Sequence, residues 1–106
     1  MANRLISEES TELFLSAASA WELSIKYAKG RLDLEPGPAE FLLRWMSTLG
    51  IQPMLVHIEH AVRVAELPTM HRDPFDRMLI AQAQIEALPI ITSDRNIARY
   101  DVETIW

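Results

Sequence analysis

The sequence predicts an α/β fold with a mostly parallel sheet flanked by helices, and three observations point to it. Short apolar runs of strand length alternate with longer stretches of helical periodicity. Gly and Pro stand between them at the places where helices end. The run Pro89-Ile90-Ile91-Thr92 is apolar without alternation, which is how a strand covered on both faces reads.

In chain order, Ala2 to Ser7 reads as the tail of a helix, and Glu12-Leu13-Phe14-Leu15 as a short strand. Ser19 is placed to cap a helix running through Trp21, Leu23, Ile25 and Tyr27, with Gly30 just past its end. Glu35-Pro36-Gly37-Pro38 breaks the chain. A second helix carries Phe41, Leu42, Trp45, Met46 and Leu49 on one face, and Gly50 stops it. Met54-Leu55-Val56 is the next strand, and Glu59 to Leu67 a helix halted by Pro68. Asp73-Pro74 opens the best-defined helix, whose apolar positions are Leu79, Ile80, Ala83 and Ala87. The strand Pro89 to Thr92, a helical turn at Asn96 to Tyr100 and a strand at Val102 to Trp106 follow.

A chain of 106 residues is expected to form one domain, residues 1–106, with a buried core. Hydrophobic residues at 49% and charged residues at 24% are globular values. The absence of cysteine excludes disulfides and thiolate metal sites and fits a reducing compartment. A net charge of −5 argues against broad binding of nucleic acid by charge alone. It is compatible with acids that hold cations, which then meet phosphate. No apolar run reaches membrane-spanning length and the N-terminus lacks a signal-peptide core, so the cytoplasm is the expected compartment.

The candidate chemistry lies in acids. Asp94 follows a predicted strand directly, at the sheet edge where open α/β folds gather functional groups. It is equally placed to cap the Asn96 helix. Asp76 stands at the third position of the helix that Asp73 and Pro74 open, where an acid also stabilises the helix dipole. One aspartate suffices for the cap, which leaves the other for a ligand. Glu22 has capping-box spacing from Ser19 and lies four before Lys26. Were its helix to open at the same sheet edge, Glu22 would meet Asp76 and Asp94. Oxygen-only ligands select Mg²⁺ or Mn²⁺. His57, His60 and His71 have no zinc spacing and are expected as ordinary surface or core residues. Arg72, Arg77, Arg95 and Arg99 surround the two aspartates in sequence, either as solvated helix faces or as phosphate contacts. Of these, Arg72, Arg77 and Arg95 are the candidates for substrate phosphate.

Ser16-Ala17-Ala18-Ser19-Ala20-Trp21-Glu22-Leu23 resembles the Trp-Glu motif of PIN-domain ribonucleases, and within them the VapC-type toxins of type II toxin–antitoxin systems. His71-Arg72-Asp73-Pro74-Phe75-Asp76-Arg77, with Leu79-Ile80-Ala81-Gln82-Ala83, resembles a further acidic motif of that family, and Ile91-Thr92-Ser93-Asp94 another. The resemblance runs from about Leu13 onward and its most specific part surrounds Asp76. It implies a PIN-like three-layer fold and a Mg²⁺-dependent endoribonuclease with Glu22, Asp76 and Asp94 as metal-binding carboxylates. It also implies a cognate antitoxin, an RNA substrate and, often, a homodimer.

The family opens with an apolar strand ending in aspartate, and this sequence has no such strand; Glu8 and Glu9 are not assigned as that ligand. The expectation is therefore a domain truncated at its N-terminus, with one metal-binding aspartate fewer. A gap beside buried parallel strands invites pairing between chains, so a homo-oligomer with exchanged elements is expected. The missing carboxylate keeps a second reading open, a non-catalytic antitoxin-binding decoy or inactive relic of such a toxin.

Overall fold

The structure is a computed structural model that describes residues 1–8 and 10–106; Glu9 lies outside the described residues. The chain divides into two compact units, one of Arg4–Leu55 and one of Val56–Trp106 with Met1–Asn3. Helices and parallel strands alternate through both, as the sequence predicts. A first helix, α1 (Ala2–Ser7), precedes them.

In the unit Arg4–Leu55, β1 (Leu13–Ser16) runs parallel to β2 (Ile51–Met54), with Leu13 opposite Ile51 and Ser16 opposite Met54. Helix α2 (Ala17–Ala28) starts directly from β1. Its cap is Ser16, not Ser19: the Ser16 hydroxyl accepts the Ala18 N–H at 3.1 Å. Ala17 and Ala18 are strong helix formers, so the helix begins three residues earlier than the serine pattern suggested. At its far end Gly30, at φ 71°, lets its own N–H reach the Tyr27 carbonyl and the Arg31 N–H reach that of Lys26. That pair of bonds is a Schellman closure, and the left-handed φ is why glycine stands there.

Helix α3 (Pro38–Leu49) has Pro38 at its first position and a left-handed Gly50 at its end. Phe41 and Trp45, one turn apart, tilt against each other with ring centroids 6.2 Å apart. Gly50 delivers the chain straight into β2, so the strand covers Ile51–Met54 and not the predicted Met54–Val56. The apolar run misled here: Leu55 is 61% exposed.

In the other unit, β3 (Ile90–Ile91) pairs in parallel with β4 (Thr104–Ile105). The predicted sheet is thus two parallel pairs, one in each unit. Helix α4 (Ile58–Arg63) gives way to a 3₁₀ turn (Val64–Glu66), where the sequence suggested one helix to Leu67. The reason is α5 (Pro74–Glu86), whose Arg77 draws the Val64 and Leu67 carbonyls to its guanidinium. Four successive residues of α5, Ile80 to Ala83, are buried, so the helix is enclosed on all sides at that level. Leu67, Ile80, Ala81, Ile97 and Tyr100 form the core, with Val64, Ile90 and Val102 packed around it. A short helix, α6 (Arg95–Ala98), lies between β3 and β4. The backbone closes where Ala2 N–H donates to the Trp106 carbonyl at 3.2 Å.

Candidate metal centre

Asp73 opens α5 as its sequence position predicts. Its carboxylate accepts the N–H groups of Phe75 at 2.9 Å and Asp76 at 3.1 Å, and Pro74 follows at the first helical position. With the cap supplied by Asp73, the Asp76 side chain takes another partner. Asp76 Oδ2 lies 2.8 Å from His71 Nε2, across the loop that leads into the helix, and both side chains are 20% exposed.

That loop is held by two side chains from elsewhere in the unit. The Tyr100 hydroxyl accepts the His71 N–H at 2.9 Å and donates to the Pro68 carbonyl at 2.9 Å. Arg77 donates through Nη1 to the carbonyls of Pro68 at 2.8 Å and His71 at 3.2 Å and to the Tyr100 hydroxyl at 3.3 Å. Its Nη2 donates to the carbonyls of Val64 at 3.0 Å and Leu67 at 3.4 Å. Arg77, one of the arginines expected to meet phosphate, is thus engaged by loop carbonyls. A planar fork of donors suits several carbonyls at once, as a lysine ammonium does not.

Asp94 follows β3 after Thr92 and Ser93 and caps α6, accepting the Asn96 N–H at 2.8 Å. The Thr92 hydroxyl accepts the Asp94 N–H at 3.0 Å and fixes the turn. A capping aspartate uses one carboxylate oxygen and retains a second for other work. His71, Asp76 and Asp94 bring ligand atoms within 4.8 Å of one another, all partly buried. Two of the predicted acids therefore converge, together with a histidine that the sequence reading left aside. Glu22 stands on α2 in the other unit, where its carboxylate lies 3.7 Å from Lys26 Nζ. Arg72 and Arg95, next to Asp73 and Asp94 in sequence, are exposed.

Glu59, His60 and Glu86 likewise bring ligand atoms within 4.8 Å of one another. His60 is fully buried. Its Nδ1 accepts the His57 N–H at 3.0 Å, so the ring proton is on Nε2, which meets Glu86 Oε1 at 3.0 Å. This imidazole ties the start of α4 to the end of α5, as a core histidine does.

Among the described residues no helix is long and apolar enough to cross a membrane. A sequence model of the PIN domain matches residues 2–103. No curated protein matches the chain.

Proposed function

The chain belongs to the PIN domain family, matched over residues 2–103, and from that premise we propose that it is a Mg²⁺- or Mn²⁺-dependent endoribonuclease of the VapC toxin type. PIN domains are nucleases that bind RNA and generally depend on divalent metal ions. The observation that carries the reading is the convergence of Asp76, in the first turn of α5, and Asp94, in the turn between β3 and α6.

Asp76 and Asp94 are the residues that would hold the ion, with Glu22 as a third carboxylate from α2. When bound, a divalent ion lowers the pKa of a water and offsets charge developing on a phosphodiester. Asp73 keeps the helix start closed, so that Asp76 is not drawn into capping. Arg72 and Arg95 are exposed beside the two acids in sequence and suit phosphate contact. Arg77 acts on the loop that carries His71.

The match runs through both compact units, which supports one domain over residues 1–106. The proposal includes a cognate antitoxin, a cytoplasmic setting and a homo-oligomer with exchanged elements. Among the described residues each sheet has two parallel strands, whose outer edges could take a further strand, and this supports the last of these.

The test is cleavage of a structured RNA by the purified chain with Mg²⁺ or Mn²⁺, beside Asp94→Asn and a chelator control. Cleavage that requires both the metal and Asp94 is the expected result. A folded chain that binds an antitoxin but leaves RNA intact with either ion would overturn the enzymatic reading in favour of a non-catalytic decoy.

A further inference from the structure

We propose that His71 is itself a metal ligand, and that the centre it forms with Asp76 and Asp94 takes a first-row transition ion, Mn²⁺ or Co²⁺, in preference to Mg²⁺. The inference rests on the reading of Asp76 and Asp94 as ligands and changes the ligand set from oxygen alone to one nitrogen and two carboxylates.

Three observations carry it. The first is distance. Ligand atoms about 2.1 Å from one ion, at right angles to each other, are ~3 Å apart. His71 Nε2 and Asp76 Oδ2 are 2.8 Å apart, joined by a hydrogen bond whose proton an ion would displace, and Asp94 completes a group within 4.8 Å. The second is the proton. A neutral imidazole that coordinates through Nε2 must carry its proton on Nδ1. Among the described residues His71 Nδ1 makes no hydrogen bond, and the partly exposed ring leaves that nitrogen able to hold the proton.

His60 supplies the contrast. Its Nδ1 already accepts the His57 N–H, with Gln82 Nε2 at 3.5 Å as well, so coordination through Nε2 would require an imidazolate. In both clusters Nε2 faces a carboxylate and holds the proton in the free chain; what separates them is that His71 Nδ1 can take that proton over, whereas His60 Nδ1 is already an acceptor.

The third observation is support. The His71 backbone is fixed at both ends of its peptide groups, N–H to Tyr100 and carbonyl to Arg77. A ligand held this way loses little freedom on binding an ion. Imidazole nitrogen favours transition ions over Mg²⁺, and affinity rises from Mn²⁺ to Co²⁺.

The experiment is calorimetric titration of the full chain with Mg²⁺, Mn²⁺ and Co²⁺, alongside pulsed electron paramagnetic resonance of the Mn²⁺ form. The same measurements are made on His71→Ala, Asp76→Asn and Asp94→Asn. The unaltered chain is expected to bind Co²⁺ and Mn²⁺ more tightly than Mg²⁺ and to show an imidazole nitrogen coupling. His71→Ala is expected to abolish that coupling and weaken Mn²⁺ and Co²⁺ binding by about tenfold or more, with Mg²⁺ binding changed far less. Transition-ion binding without the coupling, or equally weakened for all three ions in His71→Ala, would reduce His71 to a positioning residue and overturn the proposal. In that event, loss of binding in Asp76→Asn and Asp94→Asn would still uphold the carboxylate site. Failure of the unaltered chain to bind any of the three ions overturns both readings.

Discussion

Replacing Tyr100 by Phe isolates the device that holds His71. The ring, 5% exposed, keeps its place in the core, and only the hydroxyl oxygen is removed. That oxygen takes part in three bonds, to the His71 N–H, the Pro68 carbonyl and Arg77 Nη1. The Pro68 carbonyl retains Arg77 Nη1 at 2.8 Å, and Arg77 retains the carbonyls of Val64, Leu67, Pro68 and His71. The His71 N–H is therefore the group left without its partner. An unmet buried donor costs about 1–3 kcal/mol, and because His71 is only partly buried, about 1–2 kcal/mol is the expected loss. For a chain of 106 residues that corresponds to roughly 4–9 °C in Tm. The assay is urea denaturation of both proteins, with amide hydrogen exchange at His71 in each. Exchange at His71 should accelerate in Tyr100→Phe. An unchanged midpoint together with unchanged His71 exchange would refute the reasoning, since it would mean that the hydroxyl does not hold the loop.

Ile80→Ala, at a fully buried position of α5, is expected to cost about 2–5 kcal/mol by lost burial and a residual cavity, read from the urea midpoint. Ala87 ends α5 at φ 54°, a left-handed conformation that side chains resist. Ala87→Gly should stabilise the chain by about 0.5–1 kcal/mol, the relief outweighing the entropy gained by the unfolded state; a lowered Tm would contradict this. In Arg77→Lys one ammonium cannot reach the carbonyls of Val64, Leu67, Pro68 and His71 together. A loss of about 1–3 kcal/mol is expected, with faster exchange of amides between Val64 and Arg72 as the local signature.

What could be read from the sequence was set locally. Asp73-Pro74 carries its own capping geometry, Gly50 its own left-handed stop, and Asp94 its own cap for the helix that follows. Errors arose where neighbours decide. Ser16 and Ser19 are both fit to cap α2, and the strand that ends at Ser16 makes the choice. Met54-Leu55-Val56 has the composition of a strand, but Gly50 starts the pairing earlier. Ala87 fits the apolar period of α5 and turns out to be its left-handed end. His71 was missed because its approach to Asp76 depends on a loop path fixed by Arg77 and Tyr100, which periodicity cannot register. Its position five residues before Asp76, in a segment also rich in arginine, was the available signal. The carbonyls that Arg77 serves could not be foreseen either, because they have no signature in side-chain sequence.

The arrangement around Asp76 also bears on the order in which the chain folds. His71 meets Asp76 across five residues and its carbonyl meets Arg77 across six, so most of the loop's attachments form as soon as α5 does. Closing such short loops carries little entropic penalty, and contacts local in sequence are reached early. Tyr100 joins from 29 residues away and must await the passage through β3 and α6. Helix α5 and its leading loop thus have the makings of a nucleus, with the His71 amide last to be protected. Pulse-labelled refolding would show that amide acquiring protection later than those inside α5, although it stands only three residues from the first residue of the helix.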